Sequence, residues 1–74
     1  MNDTPRYVVG DRVKRPVYER YDISHPIAWQ RGVVLEVRRD DTHTIQRTFF
    51  FYAILWDDGS QTRCDVWEGD LLPA

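Results

Sequence analysis

Cysteine occurs once in the 74 residues, at Cys64, so the chain cannot close an internal disulfide. A domain this small must then hold together by packing alone, as befits a reducing cytoplasm. No apolar run approaches the ~20 residues a bilayer requires, and the opening MNDTPRYVV lacks the basic-then-apolar order of a signal peptide. Neither charge sign dominates. Ten Lys and Arg stand against 12 Asp and Glu, a formal net charge of −2, which gives a nucleic-acid backbone no general attraction. Only two histidines, His25 and His43, accompany the lone cysteine, so no zinc-type ligand spacing exists and no cofactor is expected. Helical periodicity is missing too: no segment keeps an apolar stripe for more than one turn.

What the chain does hold is aromatic bulk. Three Trp, four Tyr and three Phe can fill the core of a single domain near the lower size limit for unstapled folding. Residues 1–6, MNDTPR, read as a loose N-terminal arm and residues 7–74 as one domain. After a turn at Gly10-Asp11, Val13 alternates with Arg12 and Lys14 in a first strand that is predicted to end at Pro16. Residues 18–30, YERYDISHPIAWQ, keep neither period and are predicted to be a long packed loop. A second strand, VVLEVRR, would place Val33, Leu35 and Val37 on its inner face. DDTHT at 40–44 reads as a polar turn.

The third strand, IQRTFFFYAILW, has two apolar rows: Phe50, Tyr52, Ile54 and Trp56 on one face, Phe49, Phe51, Ala53 and Leu55 on the other. Asp57-Asp58-Gly59 supplies a hairpin turn, because Asp and Gly tolerate positive φ. A fourth strand, SQTRCDVW, would carry Cys64 and Val66 inward. After Glu68-Gly69-Asp70, LLPA ends in a short fifth strand or a helical turn. The expectation is all-β, with about five antiparallel strands rolled into a small barrel.

The ordered set VGDRV, GVVLEV, YAILWDDGS and DVWEGDLL resembles the SH3-like and Tudor-like barrel superfamily, above all small bacterial domains with a GDRV, G-x-V-x-EV, Y-x-V-x-WDDG pattern. The resemblance implies an SH3-like (Tudor-like) barrel with a long first loop, and Tyr52, Ile54 and Trp56 pointing inward. The stretches GDRVK, AWQRG and GVV are also similar to type II dihydrofolate reductases, tetrameric SH3-like barrels whose ligand-binding Val-Gln-Ile-Tyr segment lines a shared pore. Here the matching stretch is Gln61-Thr62-Arg63-Cys64, so the fold carries across and the oligomeric reductase activity does not.

No catalytic constellation stands out. Asp57 and Asp58 are adjacent, and neighbouring strand residues point to opposite faces, so a turn explains them better than a metal site. Cys64, predicted beside Val66 in the core, reads as an inert small hydrophobe rather than a nucleophile paired with His25 or His43. Arg38, Arg39 and Arg47 beside one turn, with Arg12, Lys14 and Arg15 on the first strand, offer a nucleic-acid-binding rim as the alternative function. In Tudor-like relatives, aromatics near strand ends form cages for cationic side chains; Tyr18, Tyr21, Trp29, Tyr52, Trp56 and Trp67 are the residues available, with plain core packing as the rival.

The reading that results is a non-enzymatic, cytoplasmic module that binds a protein partner. Its candidate contact residues are Tyr18, Tyr21, Trp29, Phe49, Phe51, Leu55 and Trp67. One expectation is sharper than the rest. The outward row Phe49, Phe51 and Leu55 needs a cover. Either the loop of 18–30 supplies it through Ile23, Ile27 and Trp29, leaving a monomer, or a second molecule does, as in a homodimer.

Overall fold

Alternation of apolar residues at Val13, at Val34 and through Tyr52, Ile54 and Trp56 drives this chain into strands, one row of each strand facing a common core. A computed structural model describes residues 4–42 and 47–74. It shows β1 (Arg12–Glu19), β2 (Asp22–Thr42), β3 (Arg47–Trp56), β4 (Val66–Trp67) and β5 (Leu72–Pro73), with a 3-10 turn over Glu68–Asp70. All pairings are antiparallel, in one sheet of order β4-β3-β2-β1-β5. No described helix is long and apolar enough to cross a membrane.

The two edge strands, β4 and β5, are neighbours in sequence, separated only by residues 68–71. That linker spans at most ~18 Å even when extended, and its 3-10 turn shortens it. Flat strands at ~4.8 Å spacing would hold the edges ~19 Å apart. The sheet is therefore strongly curled. It is also open, since β4 and β5 pair with β3 and β1 but not with each other.

The concave side is lined by Tyr7, Val13, Val34, Phe50, Tyr52, Ile54, Trp56, Val66 and Leu71, with Val37 packed against them. Each fully buried large side chain contributes ~1.5–3 kcal/mol. Tyr7 and Tyr52 meet edge to face at 5.6 Å. The Tyr7 hydroxyl donates to the Leu71 carbonyl at 3.1 Å and the Tyr52 hydroxyl to Glu68 at 2.7 Å. Glu68 also accepts from the Arg6 amide at 2.8 Å. Residues 6–7, β3 and the 3-10 turn are thus bound together. The inward row on β3 is as expected, and Gly59, at φ +90°, closes the turn by donating to the Trp56 carbonyl at 2.9 Å.

Several expectations are corrected. Of the trio Val33, Leu35 and Val37 expected inside the second strand, only Val37 packs against the core, and Val34 is buried in place of the other two: the register shifts between Val34 and Glu36, making Leu35 an extra, exposed residue. A bulge of one residue exchanges the faces, so Val34 and Val37 share the inside. The fourth strand is shorter than SQTRCDVW. Thr62 continues the ladder opposite Ile54 (N–H to carbonyl, 2.9 Å), but the chain then leaves the sheet until Val66. Cys64 accordingly lies outside the core, half-buried. Asp40, Asp41 and Thr42 belong to β2 rather than to a turn, and His43 and Thr44 lie outside the described residues.

The largest correction concerns residues 18–30, which are not a loop. β1 runs through Pro16 to Glu19, turns at Arg20-Tyr21, and returns as the first half of β2, pairing Pro16 with Trp29 and Glu19 with Asp22. Register shifts around Tyr18 leave residues 23–25 and Ile27 without partners across the ladder. This long hairpin helps set the radius of gyration at 13.3 Å, against ~11 Å for a compact chain of this length. It does not cover the outer row of β3, since Ile23, Ile27 and Trp29 are themselves exposed.

Candidate functional site

The seven candidate contact residues separate into two groups. Tyr18, Tyr21 and Trp29 sit on the distal β1–β2 hairpin, and Phe49, Phe51, Leu55 and Trp67 on the convex side of β3–β4.

In the convex group, Phe51 is flanked by its own neighbours. Phe51 pairs across the ladder with Trp67, and the Arg38 guanidinium lies 4.9 Å from the Phe51 ring centre. Arg38 is fixed there by the Cys64 carbonyl (3.2 Å) and by Asp40 (3.7 Å). The Trp67 ring lies against Gly69, where a Cβ would sit 2.6 Å from it. Phe49 and Phe51 are half-buried, whereas Leu55 and Trp67 are exposed. Arg38 and Trp67, not the hairpin, flank Phe51.

The hairpin differs. Val17, Tyr18, Tyr21, Ile23, Ile27 and Trp29 are all exposed, Tyr21 at 90%, Ile23 at 81% and Ile27 at 62%. Strand pairing puts Pro16 beside Trp29 and Lys14 beside Arg31 on one face, with the Lys14 ammonium 4.7 Å from the Trp29 ring centre. On the other face, Arg15 donates to the Gln30 side chain at 2.8 Å and stacks 4.3 Å over Trp56. A shallow cleft of about 350 Å³ lies between the hairpin base and the chain end, lined by Arg15, Pro16, Tyr18, Gly69, Asp70 and Leu72. Sequence reasoning picks out Tyr18, Tyr21 and Trp29 but not Val17, Ile23 and Ile27 as contact residues, because it assigns Ile23 and Ile27 to a loop folded over β3. The signal that could have found them is the pair of apolar segments flanking Arg20-Tyr21.

Reactive groups are quiet. Burial, then the nearby Glu36 carboxylate, pushes the Cys64 thiol up, which keeps it protonated and weakly nucleophilic. Asp57 and Asp58 diverge: Asp57 takes Arg12 at 3.1 Å, while Asp58 accepts from the Ser60 hydroxyl and amide, which hold its carboxyl below the usual range. Among the described residues no group of three or more His, Cys, Asp and Glu is placed to hold a metal. Tyr52 and Trp56 are core residues.

Comparison with models of protein families, with curated protein sequences and with solved structures found no match for this chain.

Proposed function

We propose that this chain is a non-enzymatic, protein-binding module of the cytoplasm, an SH3-like barrel in architecture, whose binding element is the distal β1–β2 hairpin. The carrying observation is the run of exposed apolar side chains from Val17 to Trp29, a patch that soluble proteins keep for contacts. The curled sheet with sequence-adjacent edges supports the barrel reading. The protonated thiol and divergent acids support the non-enzymatic one. A nucleic-acid reading draws on the same hairpin, where Lys14 and Arg20 lie near aromatic rings. Bases stack on rings, but Val17, Ile23 and Ile27 offer no stacking surface and suit a protein contact instead.

A photoreactive phenylalanine placed at Tyr21, and separately at Arg63 outside the hairpin, tests this in cells. A nuclease-resistant protein adduct from position 21, absent from 63 and lost on Trp29→Ser, is expected. Adducts that nuclease removes, or the same adduct from both positions, would overturn the reading.

A further inference from the structure

Charge is divided unevenly between the hairpin and the rest of the chain. Residues 12–33 hold five basic side chains (Arg12, Lys14, Arg15, Arg20, Arg31) against two acidic ones, Glu19 and Asp22; the remainder holds five basic against ten acidic. Among the described residues only Arg12 of those five is ion-paired, to Asp57. Lys14, Arg15 and Arg20 lie over the rings of Trp29, Trp56 and Tyr21. Asp22 is turned to the Ser24 amide and hydroxyl. The hairpin therefore carries an excess of positive charge interleaved with exposed apolar surface, on a protein that is otherwise acidic, with Asp57, held by Arg12, and Asp58 at the border of that surface beside Trp29 and Arg31.

Resting on the hairpin as the binding element, we propose that its partner is an acidic protein segment with an apolar anchor, held on the face of the hairpin rather than added to its edge. Charge complementarity selects an acidic partner and speaks against a second copy meeting hairpin to hairpin, which would oppose two positive surfaces.

The edge is closed by chemistry. The Ala74 amide donates to the Arg12 carbonyl at 3.2 Å, so alternate residues from Arg12 onward turn their backbone groups toward β5. β5 pairs only with Val13 and Lys14, which leaves the edge open beyond them. Pro16 is the next residue facing that way, and it has no N–H to give. An added strand would meet a missing donor at its centre. The face offers Pro16 and Trp29 side by side with Lys14 and Arg31. The cleft at the margin of that face, which Arg15 of the opposite face also lines, takes the anchor's side chain between Pro16, Tyr18 and Leu72 without pairing to the β1 backbone. Asp70 lines that cleft, so the partner's carboxylates flank the anchor rather than enter with it.

Selection of random peptides displayed on phage against the whole protein tests this. The enriched peptides should carry Asp or Glu around one large apolar residue. Their affinity should fall by about tenfold or more in Lys14→Glu/Arg31→Glu, fall with added salt, and be unchanged in Arg63→Glu. Lys14→Gln/Arg31→Gln gives the same test, with a smaller loss, should the reversal disturb folding. Enriched peptides without acids, lost in Tyr18→Ser but indifferent to charge reversal, would overturn the acidic partner and leave the hairpin reading intact. Binding indifferent to every hairpin substitution, or a selection that enriches nothing, would overturn both. Tighter binding of a labelled poly-dT oligonucleotide would overturn the inference in favour of nucleic acid, and a stable dimer by sedimentation in favour of a second copy.

Discussion

The guanidinium of Arg15 lies 4.3 Å from the centre of the Trp56 ring, with its Nε donating to Gln30 on the neighbouring strand at 2.8 Å. Trp56 is almost wholly buried, so this arginine caps the core at the point where the hairpin leaves it. The hairpin is thereby anchored at its base while its far end stands in solvent.

Truncating that cap should loosen both. Arg15→Ala is expected to cost about 1–2 kcal/mol, through lost stacking and lost cover over the indole. Denaturant melts monitored by tryptophan fluorescence should show the loss together with a red-shifted native spectrum. An unchanged midpoint would mean that the stack contributes nothing.

Gly59 tests the turn. Nothing lies within 4 Å of where its Cβ would be, yet its φ is +90°. Gly59→Val should therefore cost well over 1 kcal/mol from backbone strain alone. D-alanine at the same position, introduced by synthesis, should cost almost nothing. Equal losses for both would contradict a purely conformational origin.

Gly32 is required for another reason. A Cβ there would sit 2.6 Å from the Leu55 carbonyl oxygen and 2.9 Å from the Trp56 ring. Because backbone cannot yield as a side-chain tip can, Gly32→Ala should destabilise by about 2 kcal/mol or more, in the range of core overpacking. A thermal melt within error of wild type would show that β2 and β3 can part without cost.

Much of the β3 core row is legible in the sequence alone, because Tyr52, Ile54 and Trp56 alternate cleanly into an Asp-Asp-Gly turn. The bulge at Leu35 is not. Nothing in VVLEVRR marks an inserted residue, and a one-residue slip moves every side chain to the other face. The hairpin is hidden for a different reason. Pro16 and Pro26 look like strand breakers, and Arg20-Tyr21 carries none of the Gly or Asn expected of a two-residue turn. Pro16 is tolerated because its missing N–H faces an open edge, a property of pairing and not of local sequence. Recognising Tyr18, Tyr21 and Trp29 as contact candidates is within reach of composition. Their separation from Phe49, Phe51, Leu55 and Trp67 requires the topology.

Alkaline pH should act through Tyr52. Burial, then its hydrogen bond to the Glu68 carboxylate, pushes its hydroxyl well above the ordinary tyrosine value. The folded state thus holds a proton that the unfolded state releases near pH 10. This stabilisation is intact below about pH 10 and declines as pH rises toward the folded value. Melting temperatures followed from pH ~8 to ~11 should fall more steeply for wild type than for Tyr52→Phe, which lacks the ionisable group. Parallel curves would place the alkaline sensitivity elsewhere.

The central claim is that the apolar residues of the hairpin serve a contact outside the chain and not the chain's own fold. Thermal denaturation of Tyr21→Thr/Ile23→Thr/Ile27→Thr tests it most directly, since threonine keeps a strong strand preference while removing the apolar bulk. With these side chains in solvent, the change should stay within about 0.5 kcal/mol, a shift of no more than ~4 °C for a domain this size. A loss of about 2 kcal/mol or more, with a midpoint ~10 °C lower, would contradict the account and show that the fold itself covers these residues.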